Sequence, residues 1–238
     1  MKPMRIHILM HEAYEGPGAI TSWIKKNNHT VSYSKVFQGD VVPTNCNNFD
    51  FLIIMGGPQS PYTTVEECPY FNSIAEQALI QNAVNMQKAV LGICLGAQIM
   101  SNAMGGKTTA SPHTEIGLFE VNLNTAGQKD PLLADFPKSF FCGHWHGDMP
   151  GLSDDAVVLA STKGCPHQII RFAPKAYAFQ CHLEFTPDAI DDMISHFSHQ
   201  LTNEENQMFI QSADQLRTNN YSASNQLLFN FLDKLVEA

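Results

Sequence analysis

Residues 92–98, with the sequence Gly-Ile-Cys-Leu-Gly-Ala-Gln, have the spacing of a nucleophile elbow. In an elbow a strand turns sharply into a helix, and the flanking glycines let the backbone pass close to neighbouring chain. The helix N-terminus offers unpaired N–H groups and a dipole, which favour a thiolate over a thiol and can hold a developing oxyanion. Cys94 is therefore a candidate nucleophile; the alternative is a buried core cysteine, which is common.

A base and a group that orients it are the partners that a cysteine nucleophile needs, and residues 182–184, His-Leu-Glu, have the right types. They follow a predicted strand and precede a Thr-Pro helix start. Residues two apart in extended chain point the same way, so Glu184 can accept from one imidazole nitrogen of His182 while the other faces Cys94. The alternative is a surface His–Glu pair.

A Gly-Gly-Pro loop at residues 56–58 offers the second N–H donor that an oxyanion hole needs besides the N–H of Leu95. Glycine lets the N–H of Gly57 turn toward a substrate, and Pro58 stiffens the loop. The alternative is an ordinary turn from a strand into a loop.

The elements that carry these motifs alternate between strand and helix in the first half of the chain. Hydrophobic patterns predict strands at residues 5–10, 30–36, 49–55 and 88–93, and helices at residues 18–27 and 69–86. This order, with continuous apolar strands, indicates an α/β fold with a parallel central sheet. Sites in such sheets lie at the carboxyl ends of strands, where Gly56 and Cys94 both stand.

The second half of the chain changes character. Short strands are predicted at residues 117–123, 139–141, 156–161, 168–172 and 176–180, and an amphipathic helix at residues 187–200. The pattern of residues 203–238 predicts two further helices, joined around residues 218–220. We therefore expect one domain at residues 1–200, with residues 201–238 as a helical appendage of the same domain, packed on it or on a partner.

The bulk properties indicate a globular protein with few basic residues. The chain has 238 residues, of which 44% are hydrophobic and 16% charged, and its net charge is −9. No Lys/Arg cluster exceeds the pair at residues 25–26, which argues against nucleic acid and against an anionic membrane surface as partners. No segment has the length of a transmembrane helix, and the N-terminus predicts a first strand rather than a signal peptide.

The six cysteines contain no Cys-x-x-Cys pair. A disulfide framework belongs to short secreted chains, and a zinc site needs thiolates or imidazoles at closer spacing than this. We therefore expect reduced thiols in a cytoplasmic protein, with no metal and no other cofactor.

These motifs, in this order, resemble the class I (triad) glutamine amidotransferase domain over about residues 1–195. Two further stretches agree. Residues 144–148, His-Trp-His-Gly-Asp, are similar to a Ser-His-Gly-Asp stretch in the glutaminase domain of GMP synthases, and residues 114–117 resemble the family's Glu-hydrophobic-Gly step. The resemblance implies a flavodoxin-like parallel central sheet with flanking helices and a small antiparallel sheet.

The resemblance also implies a role for each matched position. Cys94 would be the nucleophile, His182 the base and later the acid, and Glu184 the group that orients His182. The N–H groups of Gly57 and Leu95 would form the oxyanion hole. The residues implied in holding the substrate are Gly56, Pro58, Gln98, His144, Trp145 and His146.

The implied reaction is hydrolysis of a γ-glutamyl amide, in glutamine or another γ-glutamyl compound, which releases ammonia and glutamate through a thioester. The chain departs from the family in having Leu183 where proline is usual, which affects how Glu184 is oriented. It also lacks the Ser-Gly-Gly-x-Asp-Ser loop of the ATP-using domain of GMP synthases. The expected partner is therefore a separate ammonia-accepting synthetase chain, or a second copy in a homodimer.

Three other functions stay open. A γ-glutamyl peptidase acting on γ-glutamyl peptides or conjugates would use the same thioester with a larger leaving amine. A catalytically idle regulatory subunit would leave Cys94 unreactive. A metal hydrolase would be built on His144, His146 and Asp148. The pair at residues 11–12, His-Glu, is predicted to be only a loop pair.

Overall fold

The protein is described by a computed structural model that covers residues 2–202 and 208–238. Its strands are β1 (Arg5–Met10), β2 (Thr30–Lys35), β3 (Phe51–Ile54), β4 (Ala89–Ile93), β5 (Thr109–Leu123), β6 (Ser139–Met149), β7 (Val157–Ser161), β8 (Ile169–Ala173) and β9 (Ala176–Phe179). Its α-helices are α1 (Ile20–Lys26), α2 (Ser73–Asn85), α3 (Leu95–Ala103), α4 (Pro187–Phe197), α5 (Ala213–Thr218) and α6 (Ser222–Glu237). The strands form one sheet in the order β2-β1-β3-β4-β9-β8-β7-β5-β6.

Five neighbouring strands, β2, β1, β3, β4 and β9, run parallel to one another. Parallel neighbours need crossover connections, and helices α1, α2 and α3 supply three of them. The predicted α/β fold with a largely parallel central sheet and flanking helices is confirmed. The carboxyl ends of β1, β3, β4 and β9 meet at one edge of the sheet, so the loops that follow them are neighbours.

Strand β3 is buried on both faces of the sheet. Phe51 and Ile53 pack in the apolar cluster that includes α1 and α6, whereas Leu52 and Ile54 pack in the cluster that includes α2 and α3. Successive side chains in a strand point to opposite faces, so a strand covered on both sides must be apolar throughout. This explains the continuous apolar run in the sequence.

The antiparallel part of the sheet is longer than the sequence predicts. Strand β5 begins at Thr109 rather than at residue 117, and β6 runs on to Met149 although the predicted strand ends at residue 141. The two strands pair along this length, with a register shift between residues 110 and 115. The added segment of β6 contains glycine and aspartate, which are depleted in strands, and it pairs with β5 in spite of them.

The C-terminal helices cover the sheet. After α4 come a short 3-10 helix (Ser198–Thr202), then α5 and α6. Apolar residues of α6 belong to the same cluster as strands β1, β3 and β4: Leu228, Phe231, Leu232 and Leu235. Residues 203–207 of the predicted appendage (residues 201–238) lie outside the described residues, and the division of the appendage from residues 1–200 stays a prediction. In the part of the chain that the structure describes, no helix combines the length and apolar character needed to span a membrane.

Candidate active site

Cys94 lies at the sharp turn between β4 and α3, at the carboxyl edge of the sheet. Its φ of +51° and ψ of −109° are values that residues other than glycine rarely adopt. A Cβ on Gly92 would lie 2.4 Å from the carbonyl oxygen of Gly96, and a Cβ on Gly96 would lie 2.2 Å from that of Ile54. Both glycines are therefore needed for the turn that brings the sulfur to the N-terminus of α3.

His182 and Glu184 lie just past the end of β9 and are both buried. The Nδ1 of His182 lies 2.6 Å from Oε1 of Glu184, and its ring stacks on Phe185 with centroids 4.1 Å apart. Burial lowers the pKa of His182, but the charge of Glu184 and the neighbouring Cys94 side chain outweigh it and hold that pKa well above its usual value. Nε2, on the other side of the ring, has no hydrogen-bond partner among the described residues.

Backbone contacts from three elements hold the segment around His182 and Glu184. His182 and Gly143 of β6 exchange two backbone hydrogen bonds, of 2.8 and 3.0 Å. The N–H of Ala19, at the end of the β1–α1 loop, donates to the carbonyl of Glu184 at 2.9 Å. Nδ2 of Asn225 in α6 donates to the carbonyls of Leu183 and Phe185 at 2.6 and 3.0 Å. The segment is therefore fixed at the position where the family usually has proline.

The Gly-Gly-Pro loop follows β3 and lies beside the elbow. The carbonyl of Gly56 is 3.0 Å from Nδ1 of His11, whose Nε2 is 2.9 Å from Oε2 of Glu76. His11 and the Glu76 side chain are buried. Burial lowers the pKa of His11, but the charge and hydrogen bond of Glu76, with the hydrogen bond to Gly56, outweigh it and raise that pKa. His11 lies in the loop after β1, as predicted, and its ring is buried with both nitrogens in hydrogen-bond contact.

A cavity of about 580 Å³ opens beside Cys94. Of the predicted substrate residues, four line it: Pro58, Gln98, Trp145 and His146. Gly56 lines a small adjoining cavity, and His144 is fully buried behind the wall. Nε2 of Gln98 donates to Oε1 of Gln180 at 3.1 Å, and Nε2 of Gln180 lies 3.5 Å from the sulfur of Cys94. The side-chain amides of Gln98 and Gln180 thus form a hydrogen-bonded chain from the cavity wall to the sulfur of Cys94.

Glu115, His144 and His146 form a buried cluster whose ligand-type atoms lie within 4.8 Å of one another. Among the described residues, Asp148 is not part of it, so the triplet proposed for a metal hydrolase does not come together. Oε2 of Glu115 already accepts hydrogen bonds from Oγ1 of Thr162 at 2.9 Å and Nε2 of Gln168 at 2.7 Å, and lies 3.2 Å from Nε2 of His146. An oxygen with three such contacts fits a hydrogen-bonded network that orients His146 better than it fits a metal ligand.

Four residues at the site were not singled out by the sequence motifs: His11, Glu15, Gln180 and Asn225. Two of them lie in the loop after β1, at the same sheet edge as Gly56 and Cys94, so the position of that strand end was a usable signal. Gln180 lies two residues before His182 in the sequence. Asn225 lies on a helix distant in sequence, and no local pattern marks it.

Comparisons with known proteins find matches over most of the chain. The sequence profile of the family described as glutamine amidotransferase class-I matches residues 19–201. The chain is 45% identical over 235 residues to glutamine amidotransferase-like protein YfeJ of Salmonella typhimurium (strain LT2), covering 99% of this chain and 98% of that protein. The crystal structure of SMU.1228c superposes with a TM-score of 0.95 and 46% identity, covering 98% of this chain and 100% of that one.

A more distant match is to part of a longer protein. The chain is 30% identical over 148 residues to the glutamine-hydrolyzing GMP synthase of Borreliella burgdorferi (strain ATCC 35210). The match covers 62% of this chain but 27% of that synthase. Most of the synthase therefore has no counterpart here.

Proposed function

The chain belongs to the class I glutamine amidotransferase family, and from that membership we propose that it hydrolyses a γ-glutamyl amide through a thioester on Cys94. The observation that carries the proposal is the meeting of three features at one sheet edge. A strained cysteine stands at a helix N-terminus, a buried His–Glu pair lies beside it, and a Gly-Gly loop borders the same cavity. These are the nucleophile, base and oxyanion donors that acyl transfer needs.

In the first half of the reaction, the Cys94 thiolate attacks the carbonyl carbon of the γ-carboxamide and a C–S bond forms. The oxygen becomes an oxyanion, which the N–H groups of Gly57 and Leu95 stabilise. Leu95 is the first residue of α3, so its N–H has no intrahelical partner. The C–N bond then breaks as Nε2 of His182 gives its proton to the nitrogen, which leaves as ammonia or an amine.

In the second half, water attacks the thioester. His182, now neutral, takes a proton from the water as the new C–O bond forms, and Glu184 stabilises the resulting imidazolium. The C–S bond breaks, glutamate leaves and the thiolate is restored. The raised pKa of His182 supports this assignment, because it shows an environment that favours the charged ring.

The size and lining of the cavity support a second candidate function, which is γ-glutamyl peptidase activity. Beyond the residues near Cys94, the cavity extends along an apolar wall from α4 and the C-terminal segment: Met193, Phe197 and Ile210. Such a wall offers room and apolar surface for a substrate larger than glutamine. The two candidates share every step and differ in the amine that leaves.

The glutamine-hydrolyzing synthase that the chain matches supports a role for a partner that consumes the ammonia. We retain the prediction of a separate synthetase chain or a second copy of this chain as that partner. A catalytically idle subunit is the least supported alternative, because Cys94, His182 and Glu184 are all present and adjacent.

The test is glutamate release from glutamine and from a panel of γ-glutamyl dipeptides and γ-glutamyl amines, with Cys94→Ala as control. We expect the wild-type protein to release glutamate and the variant to release none above background. Alkylation by a glutamine-analogue chloroketone, located by mass spectrometry, reports on the nucleophile separately. A wild-type protein that turns over no compound and is not labelled at Cys94 would overturn the proposal.

A further inference from the structure

The loop between β1 and α1, residues 11–19, lies over the proposed triad and is fixed at several points. His11 at its start contacts the Gly56 carbonyl, and Ala19 at its end donates to the Glu184 carbonyl. Between them, the ring of Tyr14 stacks on His196 of α4 with centroids 4.1 Å apart. A loop held in this way can place a side chain at a defined position above Cys94.

Glu15 is the side chain that this loop brings to the nucleophile. Gly56 has both Glu15 and Cys94 as neighbours. A Cβ built on Gly56 would lie 2.2 Å from Oε2 of Glu15 and 3.5 Å from Cβ of Cys94, so the two side chains approach the same glycine. Among the described residues, Glu15 alone lines both the large cavity beside Cys94 and the small cavity bordered by His182 and Glu184. Its carboxyl group therefore stands where these two cavities meet.

The charged neighbours of Glu15 come from every element around it: His11 on the same loop, His182 and Glu184 after β9, and Glu12. Burial raises the pKa of Glu15 to about 7, with Glu184 and Glu12 acting in the same direction and the two imidazoles opposing them. No side-chain hydrogen bond to Glu15 is found within residues 2–202 and 208–238. A carboxyl group without a fixed partner, beside the nucleophile, is available to a bound substrate.

The proposed reaction decides which part of the substrate meets Glu15. The departing nitrogen must lie toward His182, which protonates it, whereas the rest of the γ-glutamyl group lies in the large cavity toward Gln98 and His146. Glu15 lines the large cavity and, unlike the other described residues that line it, also borders the small cavity next to His182. Its carboxylate therefore faces the leaving amine and whatever that amine carries.

We propose that Glu15 forms a leaving-group subsite, which restricts substrates to γ-glutamyl amides whose departing amine carries no carboxylate. This inference rests on the proposed function and narrows it. Ammonia, a neutral amine or a cationic amine can leave beside the Glu15 carboxylate, whereas the α-carboxylate of an amino acid is repelled by it at close range. Simple γ-glutamyl dipeptides are then poor substrates, and γ-glutamyl amines are better ones.

The experiment compares γ-glutamylglycine with γ-glutamylglycinamide, which have the same scissile amide and differ by one negative charge. We expect wild-type kcat/KM to favour the glycinamide compound by about tenfold or more at about pH 8. The preference should fall toward about pH 6, because a carboxyl group with a pKa of about 7 becomes neutral there and no longer repels the glycine carboxylate. In Glu15→Gln the preference should be small and independent of pH.

The matched control is Glu12→Gln, which removes a carboxylate from the same loop. Glu12 contacts Gln59 and Tyr70 and borders neither of the two cavities, so this variant should keep the wild-type preference at about pH 8. The loss of that preference on acidification should move to lower pH, because the charge of Glu12 helps to raise the pKa of Glu15. Intrinsic differences in reactivity between the two compounds cancel when variants are compared. The wild-type pH profile is a second measurement that needs no variant to fold.

The outcomes distinguish a failure of the Glu15 subsite from a failure of the proposed function. If the protein hydrolyses γ-glutamyl compounds but Glu15→Gln leaves the preference unchanged, or wild type prefers γ-glutamylglycine, the subsite is wrong and the proposed function stands. If the wild-type protein hydrolyses neither compound, nor glutamine, and Cys94 is not alkylated, the proposed function fails and the subsite fails with it.

Discussion

His11 is a buried imidazole whose two ring nitrogens both face acceptors, the Gly56 carbonyl and the Glu76 carboxylate. The raised pKa of His11 favours a proton on both nitrogens, which makes the ring an imidazolium paired with Glu76. The carbonyl of Gly56 and the N–H of Gly57 belong to one planar trans peptide and point in opposite directions. By holding the carbonyl on one side, His11 fixes the N–H on the other, which is the proposed oxyanion donor.

His11→Phe should therefore lower kcat with little change in KM. Removing an oxyanion donor costs about 10²–10³ in kcat, and loss of the group that positions one should cost about 10–100-fold. Glu76→Gln should keep most of the activity, since a neutral His11 can still donate from Nδ1 to Gly56 while Nε2 accepts from the new amide. Steady-state kinetics on the best γ-glutamyl substrate measures both effects.

The control for His11→Phe is His7→Phe, which replaces another buried histidine of the same segment that contacts Ser32 and Ser34 away from the cavity. It should lower stability while kcat of the folded protein stays near wild type. An aldehyde analogue of glutamate, which forms a hemithioacetal oxyanion on Cys94, should bind less tightly only to His11→Phe. Equal losses of kcat in both variants would show that His11 has no specific role.

At the scale of elements, α6 contributes directly to the geometry of the site. Nδ2 of Asn225 donates to the carbonyls of Leu183 and Phe185, on both sides of Glu184. Proline at residue 183 would restrict this backbone from within. Here a side chain from another helix restricts it instead, which is how the segment keeps its shape with leucine at that position.

Asn225→Ala should thus reduce kcat by about tenfold, because Glu184 loses part of the support that orients His182. Stability should fall by about 1–3 kcal/mol, since two buried carbonyls lose their donor. The matched control is Gln226→Ala, which changes the next residue of α6, an exposed one. It should change neither kcat nor the free energy of unfolding. Steady-state kinetics and thermal unfolding of the wild-type protein and the two variants measure these effects. A wild-type kcat in Asn225→Ala would contradict the role of Asn225 in positioning Glu184.

At the scale of the whole molecule, α6 is part of the main core. Four of its apolar residues, Leu228, Phe231, Leu232 and Leu235, are fully or almost fully buried. Trp23 of α1 donates to Asp233 at 2.7 Å, which ties the two helices that cover this face of the sheet. The fold therefore depends on a segment that lies far from the site in sequence.

Removal of residues 222–238 should prevent folding rather than give a smaller active domain. Each of the four side chains contributes about 1.5–3 kcal/mol by burial, and together they match the whole stability of a typical protein, about 5–15 kcal/mol. Circular dichroism and solubility of the shortened chain test this. A soluble, cooperatively unfolding product with activity would show instead that α6 is a separable appendage.

Much of this arrangement is predictable from the sequence, because the parallel strands are continuous apolar runs and the glycines around Cys94 mark a sharp turn. The sheet edge that joins Gly56, Cys94 and His182 follows from strand order alone. The extent of β6 and the role of Asn225 do not follow, since both depend on pairing with chain that is distant in sequence. His11 and Glu15 were missed for a different reason: a single histidine or glutamate in a loop has no distinguishing residue pattern, and their position after the end of β1 was the signal available.

The hydrogen bonds from Asn225 also set an order of events during protein synthesis. A ribosome makes residues 94, 182 and 184 well before residue 225, so a growing chain carries all three proposed catalytic side chains before their backbone is supported. Full alignment of the His–Glu pair waits for the last helix described here. The proposed activity should therefore appear only once α6 has docked on the sheet.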